Sequence, residues 1–265
     1  MPPEQSGKAE QGETFLATDP RFQFAWRKPP SGTAGRPLLI GIHGSDRNWL
    51  ETRDAFTSLA DSYDIAILSP LFPVGAATPG MGDGYKFLRE PGIDYTALLD
   101  AMLAAFARDY AFNERKLFLF GFSGGAQFAL RYALINAGRL AGLIVAAPGC
   151  VTLIDDTMPW WAGTGGIEAA TGKPLDRLGL TRLPAHLVVG ADDLEDGLVD
   201  RGLGDPYHSP YADVAGATRR VRVAALARNL ANAGIMATEE IVDDAGHDFA
   251  PIVDAAARHL AAMIG

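Results

Sequence analysis

The sequence of 265 residues contains a single cysteine and no long apolar run. Cys150 has no partner for an internal disulfide, so the fold does not require an oxidising compartment, and a small buried residue is expected there rather than a nucleophile. The longest apolar segments fall short of the roughly 18 residues that a membrane span needs. The polar first residues lack the apolar segment of a signal peptide. These absences predict a cytoplasmic protein without a membrane anchor.

Clusters of basic residues are also missing. The chain has 23 Lys and Arg against 32 Asp and Glu, which gives a net charge of −9. Such a chain is a poor match for a phosphate backbone, so nucleic acid is not expected as a partner. Proline and glycine are spread along the sequence, and no linker is predicted. We expect a disordered tail over residues 1–13 and a single domain over 14–265, with one large core.

Short apolar runs alternate with segments of helical periodicity from residue 37 onward. Strands are predicted over 36–42, 65–69, 116–120, 143–147, 186–189 and 238–242, and helices over 49–62, 93–110, 124–137, 213–233 and 250–264. An antiparallel pair is predicted before them, over 14–18 and 21–27. The alternation predicts an α/β fold, with a mostly parallel central sheet and helices on both faces. Ligands of such sheets bind beyond the carboxyl ends of the strands.

A serine flanked by glycines follows one of these predicted strands. Residues 121–125 read Gly-Phe-Ser-Gly-Gly and fit the pattern G-x-S-x-G between a strand and a helix. On so tight a turn, side chains at the flanking positions would collide with the neighbouring strand and helix, and the hydroxyl of Ser123 would stand above the sheet. The alternative is a glycine-rich turn without chemistry. A serine hydroxyl needs a nearby base to act as a nucleophile, so other residues decide between the two.

Five histidines are available as that base. We interpret His186, His208 and His259 as structural or solvated, because they lie at the start of a strand, in a long loop and within the last helix. His247 differs, since it follows the last predicted strand in a short glycine-containing loop. That loop and Ser123 are predicted to share one edge of the sheet, which makes His247 the candidate base.

A triad also needs a carboxylate that orients the base. Asp193 and its neighbour Asp192 follow the strand that ends near residue 189, and we favour Asp193. The alternative is a solvated acidic loop, because Glu195 and a further aspartate come next. The order Ser123, Asp193, His247 is that of α/β-hydrolases among the triad enzymes.

Acyl transfer also requires donors for the negative charge that develops on the carbonyl oxygen. The backbone N–H of Gly124, directly after the serine, is one candidate. The second is the N–H of Ser45, in the loop that follows the strand over 36–42. Gly44 allows a close approach of this loop. His43 is interpreted as holding the loop rather than as a second base.

Four segments together resemble the α/β-hydrolase superfamily, in particular its esterase-like and depolymerase-like members. They are residues 40–45, 121–125, 189–193 and 245–247, and the resemblance extends from about residue 37 to residue 265. It implies a serine hydrolase with Ser123 as nucleophile, His247 as base and Asp193 as orienting acid. It also implies a small-molecule ester substrate and no metal or organic cofactor.

The sequence departs from that superfamily in two places. The segment 148–183 is too short for a large helical cap, and a small lid is predicted instead. The extended H-G-G-G oxyanion loop of one lipase and esterase branch is absent, since Ser45 and Asp46 stand where further glycines would be.

Aromatic residues on the irregular segments are candidates for the acyl pocket. Trp160 and Trp161 in the predicted lid and Phe72 after the second main strand are expected to contact the substrate. The alternative for the tryptophans is that they cover the core. The same triad also serves peptidases, amidases and thioesterases, and a hydrolase fold without turnover can bind a ligand.

Overall fold

A computed structural model describes residues 9–196 and 201–265. Within this part of the chain, eight strands form one sheet in the order β1-β2-β4-β3-β7-β8-β9-β10. These strands are β1 (Glu10–Phe15), β2 (Gln23–Lys28), β3 (Leu38–Ile42), β4 (Ala66–Leu71), β7 (Leu117–Phe122), β8 (Leu140–Ala146), β9 (Ala185–Gly190) and β10 (Ala237–Val242). The strands β5 (Arg89–Glu90) and β6 (Ile93–Asp94) form a separate antiparallel ribbon.

Eight α-helices accompany the sheet in the described residues. They are α1 (Trp49–Ala55), α2 (Thr57–Tyr63), α3 (Tyr95–Asp109), α4 (Gly124–Asn136), α5 (Ile167–Thr171), α6 (Arg177–Leu180), α7 (Arg219–Asn232) and α8 (Phe249–Ile264). Two short 3-10 helices cover Gly84–Phe87 and Ala137–Arg139. None of the described helices is both long and apolar enough to cross a membrane.

The sheet is mostly parallel, as the sequence predicts. Strands β3, β4 and β7 to β10 pair in parallel, and β2 joins β4 and β1 in antiparallel fashion. Every residue of β3, β7 and β9 is buried. Burial on both faces explains why these strands read as continuous apolar runs rather than as an alternating pattern.

Helices cover both faces of the sheet. On one face, Phe56 between α1 and α2 packs edge-on against Phe120 of β7, and Met263 of α8 lies beside Gly142 of β8. Helix α4 covers the other face, where it contacts β7 and β8. The carboxyl ends of the parallel strands therefore open onto one common edge, where the loops after β3, β7, β9 and β10 meet.

The amino-terminal boundary differs from the prediction. Strand β1 begins at Glu10, inside the segment 1–13 that the sequence predicts to be disordered, whereas residues 1–8 lie outside the described part. Residues 10–15 are ordered by pairing with β2, and Lys28 Nζ forms an ion pair with Glu10 Oε2 at 2.7 Å. The antiparallel pair was predicted over 14–18 and 21–27, but its first strand starts earlier than predicted, because the side chains of residues 10–13 are mostly exposed and carry no apolar signal.

The segment 148–183 is folded onto the body of the protein. It contains α5 and α6, and it buries Met158 and Trp161 in a small apolar cluster with Phe87 and Cys150. Cys150 is buried, as predicted. A lid role for this segment remains a prediction.

Candidate active site

Ser123 lies on the tight turn between β7 and α4. Its φ of 55° and ψ of −111° are unusual for a residue with a side chain, and its N–H donates to Ala146 O at 2.8 Å. Strained backbone of this kind persists only where the surroundings enforce it. The hydrogen bond to the neighbouring strand is one such constraint.

The flanking glycines are required by the space around the turn. A Cβ atom at Gly121 would collide with the carbonyl oxygen of Gly125, and one at Gly125 would collide with the carbonyl oxygen of Ile42. Both obstacles are backbone atoms, which cannot move aside as a flexible side chain can. The glycine pattern of the sequence therefore has the steric cause that was predicted for it.

The structure brings Ser123, His247 and Asp193 together from three separate loops. Ser123 Oγ lies 3.0 Å from His247 Nε2, and His247 Nδ1 lies 2.8 Å from Asp193 Oδ2. The imidazole stacks on the ring of Phe122, with 4.8 Å between ring centroids. Because Phe122 is the residue before Ser123, this stacking ties the orientation of the imidazole to the turn itself.

The acidic loop distinguishes its two neighbouring aspartates. Asp193 is 2% exposed, whereas the side chain of Asp192 is exposed. The backbone N–H of Asp192 donates to Ala245 O at 2.9 Å, which links this loop to the loop that carries His247. Of the two carboxylates, Asp193 is therefore the one within reach of the imidazole.

Arg219 is a member of the site that the sequence did not reveal. It is the first residue of α7, it is 6% exposed, and its Nη1 lies 2.7 Å from Asp193 Oδ1 and 3.2 Å from Glu195 Oε2. Burial alone raises the pKa of Asp193, but the hydrogen bonds from His247 and Arg219 outweigh it and hold the pKa below its usual value. Asp193 is therefore ionised at neutral pH.

His43 connects the loop after β3 to the strand beside it. Its Nε2 accepts from the N–H of Phe72 at 3.0 Å, so the proton is on Nδ1, which donates to Gly44 O at 2.7 Å. The residue is fully buried, and this burial lowers the pKa of His43 to about 4. These bonds hold the loop in place and leave His43 without access to a substrate.

The loop 43–45 lies directly against the serine turn. A Cβ atom at Gly44 would stand 3.7 Å from Ser123 Cβ, and one at Gly124 would stand 3.1 Å from Ser45 Oγ. The hydroxyl of Tyr85 is closer still to that Gly124 position and would collide with an added Cβ. Within the described residues, neither Gly124 N–H nor Ser45 N–H donates a hydrogen bond.

A cavity of about 380 Å³ opens beside Ser123. Its walls combine polar and aromatic groups, which include Ser45, Asp46, Glu51, Arg219, His247 and Phe249. The volume suits a small ligand or one end of a longer one.

The three aromatic residues predicted for the acyl pocket lie outside the walls of this cavity. Phe72 is fully buried and packs against His43, Tyr85, Tyr95 and Phe128, so it is a core residue in this structure. The prediction for Phe72 is corrected accordingly. Its position after a strand end suggested the site, but the side chain turns into the core.

The two tryptophans also pack inward. Trp161 is 4% exposed, and its Nε1 donates to Tyr207 O at 2.8 Å. Trp160 is partly buried against the core. Both positions agree with the alternative interpretation, in which the tryptophans cover apolar residues. The reason is that the segment 148–183 folds back onto α4 and the 3-10 helix at Gly84–Phe87.

Metal-binding side chains gather elsewhere. Among the described residues, His186, Glu240 and His259 form the cluster whose ligand atoms are close enough to share an ion. These residues lie on β9, β10 and α8, away from the carboxyl ends of the parallel strands.

No protein-family model matches the sequence, and no curated protein matches it. Solved structures do. Poly(aspartic acid) hydrolase-1 from Sphingomonas sp. KT-1 is 18% identical, with a TM-score of 0.71 over 96% of this chain and 98% of that chain. LpqC, a poly(3-hydroxybutyrate) depolymerase from Bordetella parapertussis, is 19% identical, with a TM-score of 0.68 over 97% and 94%. An S-formylglutathione hydrolase from Agrobacterium tumefaciens is 17% identical, with a TM-score of 0.62 over 97% and 95%.

These similarities extend over nearly the whole length of both chains in each pair. Similarities at such low identity support a conclusion about the fold alone. The eight-stranded sheet and its strand order agree with that fold. The protein therefore has the α/β-hydrolase fold.

Proposed function

We propose that this protein is a serine hydrolase that cleaves a carboxylic ester through an acyl-enzyme intermediate. The observation that carries the proposal is the continuous hydrogen-bonded path from Asp193 Oδ2 through the imidazole of His247 to Ser123 Oγ, with steps of 2.8 Å and 3.0 Å. A hydroxyl, an imidazole and a buried carboxylate in this arrangement are the parts that nucleophilic acyl transfer requires.

In the first half of the reaction, Ser123 Oγ attacks the carbonyl carbon of the ester. The hydroxyl proton passes to His247 Nε2 as the new C–O bond forms. Asp193 accepts a hydrogen bond from Nδ1–H, which selects the tautomer with a free lone pair on Nε2 and stabilises the imidazolium that results. The alcohol then leaves with the proton from Nε2, and the acyl group stays on Ser123.

In the second half, water replaces the alcohol. His247 takes a proton from the water as its oxygen attacks the acyl carbon, and the bond to Ser123 Oγ breaks. The proton returns to Oγ from Nε2, and the carboxylic acid departs. The proton transfers of both halves use only Ser123, His247, Asp193 and water.

The oxyanion of each tetrahedral intermediate needs preorganised donors. We assign this role to the backbone N–H groups of Gly124 and Ser45. Gly124 opens α4, so its N–H belongs to the first turn and has no partner within the helix. The close packing of loop 43–45 against the serine turn supports Ser45 as the second donor.

The structural neighbours support an ester as the substrate. They include a poly(3-hydroxybutyrate) depolymerase and a ferulic acid esterase. An amide or a thioester would use the same groups, and a poly(aspartic acid) hydrolase and an S-formylglutathione hydrolase are among the neighbours too. The test must therefore separate these substrates.

The decisive experiment is labelling with a fluorophosphonate probe, followed by mass-spectrometric mapping of the modified residue. We expect modification of Ser123 in the unaltered protein and none in Ser123→Ala. A panel of p-nitrophenyl esters, matched anilides and thioesters should show turnover with the esters. Labelling without turnover of any substrate would favour a ligand-binding protein. Failure to label Ser123 would remove the proposal.

A further inference from the structure

A second cluster of titratable side chains lies away from the proposed active site. It consists of His186 on β9, Glu240 on β10 and His259 on α8, whose ligand atoms all lie within 4.8 Å of one another. His186 precedes Gly190, the last residue of β9, by four positions, which corresponds to about 13 Å along the strand. Since Asp193 lies beyond that strand end, this cluster does not share space with Ser123 or His247.

Thr238 contacts one ring nitrogen of His186, Nδ1, and leaves the other nitrogen to face the cluster. Thr238 Oγ1 lies within donor reach of Ala185 O at 3.5 Å and 2.7 Å from His186 Nδ1. If the hydroxyl proton points to the carbonyl, the oxygen accepts from Nδ1–H. Nε2 then carries a lone pair instead of a proton.

Nε2 of His186 has no hydrogen-bond partner in the described part of the chain. His186 is fully buried, and its Nε2 makes no hydrogen bond to any other described residue. Buried polar atoms in proteins are nearly always paired, so an unpartnered Nε2 calls for a physical explanation. Glu240 Oε2 lies 3.8 Å away, beyond hydrogen-bond distance. A cation between Nε2 and Oε2 would give both atoms a partner.

The other members of the cluster lie beside this nitrogen. His259 Nε2 lies 2.7 Å from Glu240 Oε2, and its ring stacks on that of His186 with 3.3 Å between centroids. Arg258 Nη2 lies 2.8 Å from the second oxygen of Glu240, Oε1, which leaves Oε2 for the two imidazoles. Two imidazole nitrogens and one carboxylate oxygen therefore lie within 4.8 Å of one another. The partly exposed ring of His259 has to turn out of the stack before its Nε2 can point at an ion shared with His186.

We propose that His186, Glu240 and His259 bind one divalent transition-metal ion of the Zn²⁺ class. Two imidazoles and a carboxylate are ligands that zinc takes, and a tetrahedral ion holds its ligand atoms about 3.3 Å apart. The separations of 2.7 Å and 3.8 Å from Glu240 Oε2 lie on either side of that value. In the bound form, His259 coordinates the ion through Nε2 and carries its ring proton on Nδ1.

The surroundings suit such a site. Thr238 binds Nδ1 of His186 and Arg258 binds Oε1 of Glu240, the atoms that do not coordinate the ion. Such hydrogen bonds orient the side chains of metal ligands. The side chains of His259 and Glu240 are 34% and 27% exposed, so an ion has a path from solvent and a water molecule can complete the coordination.

The ion would link three elements that support His247. Strand β10 is an edge strand without a fully buried residue, and it is joined to α8 by residues 243–248. His247 lies in that connection. A metal between β9, β10 and α8 would stabilise both ends of the loop without touching a reacting atom.

The test is a calorimetric titration of the protein, prepared without a polyhistidine tag, with ZnCl₂. We expect one equivalent to bind, and the melting temperature to rise by about 5 °C at a hundredfold excess over the dissociation constant. Because His186 is buried, the partly exposed ligands are the ones to change. His259→Gln and Glu240→Gln should each weaken binding by at least about 100-fold. Circular dichroism would verify that both variants fold.

Two control variants exclude other histidines. His208→Gln removes a histidine in an exposed turn, and His247→Gln removes the one beside Ser123; both should bind one equivalent with unchanged affinity. Co²⁺ in place of Zn²⁺ should give visible absorption bands typical of a tetrahedral ion, which His259→Gln abolishes. No binding to the unaltered protein, equal binding to His259→Gln, or loss of binding in His247→Gln would each overturn the proposal.

Discussion

Arg219 Nη1 lies 2.7 Å from Oδ1 of Asp193, the carboxylate oxygen that His247 does not use. Each oxygen of this buried carboxylate therefore has its own charged or chargeable donor. The two donors fix the plane of the carboxylate, and through it the ring of His247. In the proposed mechanism, Arg219 would act through Asp193 rather than on the substrate's reacting atoms, as a positioning residue.

Replacing Arg219 should affect both stability and turnover. In Arg219→Gln, one oxygen of a buried carboxylate loses its charged donor, and we expect a loss of about 1.5–3 kcal/mol in the free energy of unfolding. We expect kcat to fall about tenfold or more because His247 loses its fixed orientation. Arg219→Lys should restore part of both. Urea denaturation and steady-state kinetics with a p-nitrophenyl ester measure these effects.

Arg220 provides the matched control for that experiment. It is adjacent in sequence and exposed, and its Nη1 donates to Ala191 O at 3.1 Å. Arg220→Gln should change neither property appreciably. A kcat for Arg219→Gln equal to that of the unaltered protein would contradict a positioning role.

The two neighbouring aspartates offer a second test. Asp193→Asn keeps the shape of the side chain but donates to His247 Nδ1 through its amide, which favours the wrong tautomer, and we expect kcat to fall by about 10⁴. Asp192→Asn changes an exposed carboxylate one residue away, and it should retain kcat. Kinetics of the two purified variants separate the outcomes. Equal losses in both would mean that the loop, and not the Asp193 carboxylate, is what matters.

The sequence was sufficient to predict the fold and the meeting of three loops, because both follow from local patterns. Continuous apolar runs mark strands that are buried on both faces, and parallel strands bring their following loops to one edge. The need for glycine at positions 121 and 125 was also predictable, because the steric conflict at a strand-to-helix turn is local.

The residues that sequence reasoning missed depend on contacts between distant segments. Arg219 reads as one of several arginines in a polar helix, and nothing near it in the sequence indicates that it is buried against Asp193. Phe72 follows a strand at the expected edge, but only tertiary packing determines that it turns inward. His186 and His259 are 73 positions apart, so their stacking cannot be predicted from the local sequence of either residue. It depends on how α8 packs against the sheet.

A third test creates a steric clash between position 124 and Tyr85 and then removes it with a second substitution. A Cβ atom at Gly124 would collide with the hydroxyl of Tyr85 and stand 2.9 Å from Lys86 Cε. We expect Gly124→Ala to displace the first turn of α4 and to lower kcat by about 100-fold or more, the usual effect of losing one oxyanion donor. Because the obstacle is a side-chain oxygen, Gly124→Ala combined with Tyr85→Phe should recover part of the loss.

Gly125→Ala is the contrast for this pair. Its obstacle is the carbonyl oxygen of Ile42, which Tyr85→Phe does not move. The double variant with Gly125→Ala should therefore show no recovery. Recovery in both double variants, or in neither, would contradict the steric explanation for Gly124.

The buried His43 predicts how stability depends on pH. Burial lowers its pKa to about 4 in the folded protein, whereas an unfolded histidine has a pKa of about 6.5. Below pH 6.5 the unfolded chain therefore takes up a proton that the folded protein does not, and stability falls as the pH decreases from 6.5 to 4. A difference of roughly 2.5 pKa units corresponds to a loss on the order of 3 kcal/mol across that window.

His43→Gln isolates this contribution. The amide can replace part of the hydrogen bonding to Gly44 and Phe72 but takes up no proton, so the variant should be less stable at pH 7 and should lose less stability between pH 6.5 and 4. His208→Gln, which changes an exposed histidine, should keep the pH dependence of the unaltered protein. Urea denaturation at steps of about half a pH unit from pH 7 to 4 gives the pH dependence of stability for the unaltered protein and for the two variants. If His43→Gln kept the full slope, His43 would not be the buried neutral histidine that holds the loop beside Ser123.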